Sequence, residues 1–521
     1  MNTSGRRAGR IAAAVLSGVA AAALLVGCGM NGGGTGGGEA RTELNIGIGQ
    51  LASSADIQVD TASTSRAALT HVYDRLVEPD FKGGWLPSVA TKWEFNDEVT
   101  ELTFTLRDDV TFTNGEKLDA AAVKYSVDRI LNPENKAYAL GTLSAKFSGA
   151  EVIDETRVKL LVKNNDATAM SALAQLYLVP PKYSEKTGMG MGGKGIGSGP
   201  MMIESFAPND RLTLVPNPDY WGDKPVKNLE RVTFLSIEDE AARSSALDSG
   251  RADIVFPMSP DIWSGLKRSQ RAKPVSSLMG QYQNLFLGKY DQDSPLKDQR
   301  VRQAVNYAID KQLIVDSILL GTTEVPSQMV PRDSPLYNPD LEPWPYDPGK
   351  AKQLLAEAGY PDGFSIDMES TVGRTPADRE VASAIVDMLG EVGIEVNWTP
   401  LPATEWLQKF VNGTGAPLFM LNTSVEPSMM SEAHFSQWTS TSFTRVMADP
   451  EFDRLVADMN ATVDEGARAK KVQDLSAVML EKQPVAMLYQ VPMLYGAAQE
   501  IQGFEGRPDM SFDLSSISIG G

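Results

Sequence analysis

The chain has one cysteine and two histidines in 521 residues. A single thiol makes no intramolecular disulfide, so no covalent framework holds the fold. His71 and His434 stand far apart in sequence. A metal centre built from side chains normally needs several His, Cys or carboxylate ligands at suitable spacing, so no metal is expected. The chain also lacks a Gly-x-Ser-x-Gly elbow and a His-Glu-x-x-His motif. With the thiol accounted for below, it has no spare cysteine nucleophile, and it reads as a non-enzyme without a cofactor. Carboxylate pairs are plentiful, but sequence alone cannot set two of them across a substrate. Positive charge is scarce: 48 Lys and Arg stand against 67 Asp and Glu, for a net charge of −19. Such acidity repels phosphates and argues against nucleic acid.

What is present begins at the N-terminus. Arg6, Arg7 and Arg10 precede a small-residue apolar run over 11–26, then Gly27 and Cys28. A basic start, an apolar run of this length and a small residue before the cut describe a secretory signal over residues 1–27. The alternative, a retained membrane anchor, needs roughly 20 apolar residues, and no later run reaches that length. Leu25-Val26-Gly27-Cys28 resembles a bacterial lipobox, which implies that Cys28 is lipidated and becomes the mature N-terminus. The lone thiol is then an attachment point. The glycine-rich stretch after it reads as a flexible tether over residues 28–43. The removed segment carries three arginines and no acid, so the mature chain stands at −22. Its length allows a large core and two or three domains. A composition of 42% hydrophobic residues is that of a folded protein.

Strand and helix signals alternate beyond the tether, which indicates an α/β protein. "ELNIGIG" at 43–49 reads as a buried strand. "ELTFTLRDDVTFTNGEKL" at 101–118 alternates at Leu102, Phe104 and Leu106, then at Val110 and Phe112, and reads as a hairpin. A helix is expected next, capped by Asp119, with Val123, Val127 and Ile130 on one face. "EVIDETRVKLLV" at 151–162 is a second hairpin. "MGMGGKGIGSGP" at 189–200 lacks the Lys-Ser/Thr ending of a phosphate loop and reads as a mobile surface or interlobe loop. One helix is expected over 298–321, ending at Gly321. Another should start at Asp347-Pro348 and end at Gly359. Helix, glycine turn and strand over 377–398 imply a βαβ rhythm.

Several stretches together carry a more specific resemblance. They are "VYDRLVEPD" (72–80), "LTFTLRDDVTFTNGEKLDAAAVKYSVDRI" (102–130), "GSGPMMIESFAPNDRLTLVPNPDYWGDKP" (197–225), "LDSGRADI" (247–254), "SPLKDQRVRQAVNYAID" (294–310) and "YDPGKAKQLLAEAGYPDG" (346–363). In this order behind a lipobox, they resemble the solute-binding lipoproteins of ATP-binding-cassette importers, in the peptide/opine/nickel class (extracellular solute-binding protein family 5). The resemblance implies a type II periplasmic-binding-protein fold: two α/β lobes around a cleft, closing like a flytrap, with an extra subdomain in the first lobe. It places lobe I at 44–282 with the insert near 76–190, lobe II at 283–488, and a return to lobe I at 489–521. It also implies a monomer on the extracytoplasmic face of a bacterial membrane. The protein would hand a short peptide or peptide-like solute to a permease with ATPase subunits. An opine, a glycoside or a nickel chelate is the alternative ligand. A solute sensor or a chaperone is the alternative role on the same fold.

The resemblance also suggests ligand contacts. Peptide-binding relatives place an Asp for the ligand amine in a segment corresponding to "FMLNTSVEPSMM" (419–430). Thr423 stands there instead, beside Asn422, and Glu426 is the nearest replacement carboxylate. "TVGRTP" (371–376) lies where an arginine for the ligand carboxylate occurs, which makes Arg374 a candidate. Tyr282 and Asn284 in the crossing segment and Trp406 complete the set, with core packing as the alternative for Trp406.

Overall fold

The computed structural model describes residues 41–520 apart from 61–62, 290, 413, 425–433 and 443. Cys28, the expected signal segment, most of the expected tether and Glu426 lie outside the described residues.

A ten-stranded sheet forms the frame. Its strands are β1 Glu43–Ile48, β2 Met201–Ala207, β3 Arg211–Pro216, β4 Arg231–Ser236, β5 Ile254–Phe256, β6 Ala272–Leu287, β7 Phe364–Thr371, β8 Ile394–Leu401, β9 Leu418–Ser424 and β10 Val485–Ala498. Their order is β8-β7-β9-β6-β10-β5-β1-β4-β3-β2. The strand expected at 43–49 is β1, parallel to both β4 and β5. β7, the helix Asp378–Glu391 and β8 make the expected βαβ unit, with β7 and β8 parallel.

β6 and β10 belong to both halves of the sheet. The first half of β6 pairs with the end of β10, from Ala272↔Ala498 to Leu278↔Pro492. Its second half pairs with the start of β10, from Tyr282↔Gln490 to Phe286↔Val485, and with β9. The 16 residues of β6 span about 50 Å at strand rise, enough to run through two lobes. Between Leu278 and Tyr282 the register slips, a bulge that bends the strand midway along the sheet. The bulge leaves backbone groups to satisfy. Gln490 Nε2 donates to the Met279 carbonyl at 2.8 Å, and the Gly280 N–H donates to the Pro508 carbonyl at 3.3 Å.

The extra subdomain has its own four-stranded antiparallel sheet, Ala90–Phe95, Glu101–Leu106, Arg157–Val162 and Phe147–Val152 in that order. The last two are the hairpin expected around 151–162. The helix Ala120–Leu131 covers the sheet with Val123, Val127 and Ile130, all buried in one cluster with Leu102, Phe104 and Leu160. Asp119 caps this helix by accepting from the Ala122 N–H at 3.0 Å.

Two local expectations need correction. The stretch 101–118 is not a hairpin, because 101–106 already has partners on both sides, 90–95 and 157–162. The chain turns at Arg107, which grips Asp109 through two bonds of 2.8 and 2.7 Å, and only Thr111 bridges back to Lys117. The helix expected over 298–321 stops at Ala308, where Ile309 is extended. Asp310 competes by capping a new turn, its carboxylate accepting from the Leu313 N–H at 2.9 Å. The glycine-rich loop is exposed at 192–194 and closely packed at its end. A Cβ on Gly197 would overlap the Val72 carbonyl oxygen, and one on Gly199 would lie 2.7 Å from that of His71. Glycine is needed there for close backbone approach, not to cradle phosphate.

The same 71–75 segment holds an ionisable group that opposes folding at neutral pH. Burial raises the Asp74 carboxyl from 3.8 to about 6, although Trp221 Nε1 donates to it at 2.9 Å. Between pH 4 and 6 the folded state therefore binds more protons than the unfolded state, and stability falls as pH rises. The gap corresponds to about 3 kcal/mol. Asp74→Asn is expected to gain that much on the wild type between pH 4 and pH 7 in paired urea titrations. A gap that does not change with pH would refute the assignment.

Candidate functional site

Strand parity decides which side chains reach the cleft between the halves. On β6, Gln281 and Gln283 point one way and Tyr282 and Asn284 the other. On β9, Asn422 and Ser424 oppose Thr423. The loop after β7 meets the first set. Its conformation is held by Asp378, a buried carboxylate that accepts from the N–H groups of Gly373 at 3.0 Å, Arg374 at 2.8 Å and Thr375 at 3.3 Å. Gly373 takes a positive φ of 76° within that turn. The loop is then tied to the sheet. Arg374 Nε donates to Asn422 Oδ1 at 2.8 Å, Asn422 Nδ2 donates to Gln281 Oε1 at 2.7 Å, and Thr375 Oγ1 donates to Gln283 Oε1 at 3.3 Å. One relay thus aims a guanidinium into the cleft. Asp378→Ala is expected to cost about 1–3 kcal/mol by leaving three N–H groups without their acceptor, readable in a denaturant melt.

Two cavities meet at Arg374. One, of about 350 Å³, has Gln58, Arg66 and Tyr138 on the lobe I side and Gln281, Arg374 and Ser424 opposite. The other, of about 550 Å³, is lined by Arg374, Asn422 and Gly373 and by the apolar Met258, Met279 and Val491. Arg66 lies on the helix Ser63–Leu69, its guanidinium 4.1 Å over the Tyr138 ring, and its buried Nη1 has no hydrogen-bond partner among the described residues. The other charges of the first cavity cancel, Arg75 pairing with Asp509 at 3.3 Å and with Glu78 at 2.6 Å. Arg66 and Arg374 have no carboxylate partner among the described residues.

Beside this loop the sheet has a free edge. β7 pairs with β9 only from Met368↔Leu418 to Ser370↔Met420, so residues 421–423 of β9 have β6 on one side and no described strand on the other. An extended backbone can add there.

The remaining candidates from the sequence sit elsewhere. Tyr282, Asn284, Thr423 and Trp406 are all buried and line neither cavity. Asn284 Nδ2 donates to Thr423 Oγ1 at 2.8 Å, and Tyr282 and Trp406 pack in the lobe II core with Phe286 and Phe419. His71 is wedged against Phe512 and Phe234, and burial lowers its pKa to about 3, so the ring is neutral. His434 lines a separate small cavity with Lys311. Gln281 and Arg66 escape the sequence reading. The polar alternation at Gln281 and Gln283 is a usable signal for the first. Nothing local marks the second.

The comparisons with known proteins identify the family. The profile of the family "Bacterial extracellular solute-binding proteins, family 5 Middle" matches residues 85–444, more than half of the chain. The chain belongs to this family. A glutathione-binding protein of Salmonella paratyphi A is 27% identical over 451 residues, covering 83% of this chain and 85% of the relative. Among solved structures, the binding protein DppA of Helicobacter pylori in complex with the peptide STSA superposes with a TM-score of 0.73 at 20% identity, covering 92% and 99% of the two chains. AgaA of A. tumefacien R10, in complex with agropinic acid, does so with a TM-score of 0.72 at 23% identity and the same coverage. The family 5 fold is the two-lobed periplasmic-binding-protein architecture, and the ten-stranded sheet with its two shared strands is that arrangement here. As a family 5 member, the chain is an extracellular solute-binding protein. No helix among the described residues is long and apolar enough to cross a membrane.

Proposed function

We propose that this chain is the lipid-anchored, extracytoplasmic receptor of an ATP-binding-cassette importer. It captures a short peptide or peptide-like solute between its lobes and presents the closed form to a permease with ATPase subunits. The observation that carries this reading is the Arg374 loop, braced by Asp378 and Asn422 and facing Arg66 across a cavity lined by both lobes. Beside it runs the strand edge at 421–423, so a carboxylate and an extended backbone find partners at one place. Closure about the β6 bulge is favoured because the solute contacts both lobes only in the closed state. Relatives that bind glutathione and a tetrapeptide support the peptide class.

One observation favours the alternative, a non-peptide solute such as an opine, a glycoside or a nickel chelate. Thr423, at the position where relatives are expected to carry an amine-binding Asp, is uncharged and faces the core. A relative in complex with agropinic acid is in keeping with such a ligand. A thermal-shift panel separates the two. A ligand at 100 times its Kd adds about 2.7 kcal/mol. Peptide pools that raise the melting temperature support the peptide reading, whereas a shift from opines, glycosides or chelates alone moves the ligand to the other class. Cys28→Ser should release the protein from the membrane fraction of the producing cell. Retention of the variant would refute the lipid anchor.

A further inference from the structure

The smaller cleft cavity runs against the overall charge of the molecule, while the larger one carries Glu240, Asp378 and Glu380 beside Arg243 and Arg374. A chain with a net charge of −19 turns two guanidiniums without described carboxylate partners, Arg66 and Arg374, onto one cavity of about 350 Å³. They come from opposite lobes, Arg66 from the helix next to β1 and Arg374 from the loop after β7. The other charges on that cavity, Arg75 and Asp509, pair with each other. Both arginines are held in place before any ligand arrives, Arg66 by the Tyr138 ring and Arg374 by Asn422. Arg66 keeps Nη1 buried and without a described acceptor, a donor whose desolvation a ligand oxygen would offset.

We infer that the solute carries two anionic groups, one bound by Arg66 of lobe I and the other by Arg374 of lobe II, so that the ligand itself bridges the lobes. This rests on the receptor reading above and narrows it. Two facing cations with no anion between them repel, and more strongly as water leaves the closing cleft. A solute with one carboxylate neutralises one of them. A solute with two neutralises both and favours the closed state over the open one. The acidic exterior does not prevent this, because surface charges beyond a Debye length of about 8 Å are screened at physiological salt.

The test is isothermal titration of the full chain in detergent with three probes: glutathione, its glycine-side monoethyl ester and tri-alanine. Glutathione has two carboxylates and each of the others has one. Wild type should bind glutathione about 10- to 100-fold more tightly than either single-carboxylate probe, the span of one charge-assisted hydrogen bond. Arg66→Gln and Arg374→Gln should each weaken glutathione binding by a similar factor. One of the two should no longer distinguish glutathione from the ester, which identifies the arginine that met the missing carboxylate. Equal affinity for all three probes, or arginine variants that bind glutathione like wild type, would overturn the inference and leave the receptor reading intact. Binding of tri-alanine without glutathione would do the same. Failure of these probes and of every solute class in the thermal-shift panel would overturn both. Melting curves for each variant check that the fold is kept, since neither arginine forms a described ion pair.

Discussion

Asp56→Ala is expected to destabilise the protein by about 3–5 kcal/mol, the usual cost of removing one partner of a buried ion pair. Arg129, on the subdomain helix Ala120–Leu131, reaches Asp56 with both terminal nitrogens, and the two side chains are 4% and 0% exposed. The same guanidinium donates to Gln58 Oε1 at 2.6 Å, and the Asp56 carboxylate also accepts from the N–H groups of Gln58 and Gly190, both at 3.1 Å. Without the carboxylate, a buried cation and two backbone donors lose their acceptor. The double variant Asp56→Ala/Arg129→Met should recover part of the loss, because no charge is then stranded. The effect should reach the ligand as well. Gln58 lines the cleft cavity and donates to the Tyr177 carbonyl at 2.8 Å, so the pair sets the lobe I wall that faces Arg374. Urea unfolding and glutathione affinity, measured on the same variants, would show both losses. A cost below about 1 kcal/mol would mean that water replaces the carboxylate and that the site is less dry than the structure implies.

The legibility of this molecule from sequence follows the range of the interactions. Local rules worked where a segment chooses its own state: Asp119 and Asp347 as caps, Gly359 as a left-handed stop, the Val123/Val127/Ile130 face. They failed where partners distant in sequence decided. The alternation at Val110 and Phe112 looks like a strand, yet both edges of the neighbouring strand were already taken by 90–95 and 157–162. The cleft was half legible for a similar reason. The second half of β6 is buried almost throughout, so in "QYQNLFLG" only the alternation of Gln281 and Gln283 marks the parity that faces the cleft. Tyr282 and Asn284 carry the richer chemistry, but they face the lobe II core, while Gln281 reaches the cavity. Arg374 is found from the family pattern. Arg66 stays hidden because the cavity joining it to Arg374 exists only once both lobes have folded.

Lys311→Met is expected to stabilise the protein by about 4–5 kcal/mol at neutral and acid pH, with the gain vanishing as pH rises toward about 10.5. Lys311 follows the helix break at Ile309, and its Nζ donates to the Asn306 carbonyl at 2.8 Å, closing the frayed end of the helix Gln299–Ala308. That bond and Asp310 next to it do not offset the loss of water around a buried ammonium. Burial is the dominant cause that lowers its pKa from 10.5 to about 7. The direction of the pH dependence follows. Between about pH 7 and 10.5 the unfolded chain holds a proton that the folded chain has released, so stability rises with pH across that window and is flat below it. The difference in pKa corresponds to about 5 kcal/mol. Methionine fills a similar volume without charge, so the variant should lack this slope. Comparing the two proteins by urea unfolding at about pH 6, 8 and 10 cancels the titration of every other group. A gap that stays constant over that range would show that the amine keeps its ordinary pKa and is solvated in the native state. A closing gap would show that burial lowers the pKa of this amine in lobe II and that the protein is destabilised by it at neutral and acid pH. The amine lines a small cavity with Trp344 and Gln483, whose Nε1 and Oε1 have no described partner. The polar cost is therefore concentrated in one interior pocket of lobe II that shares no lining residue with the two cleft cavities.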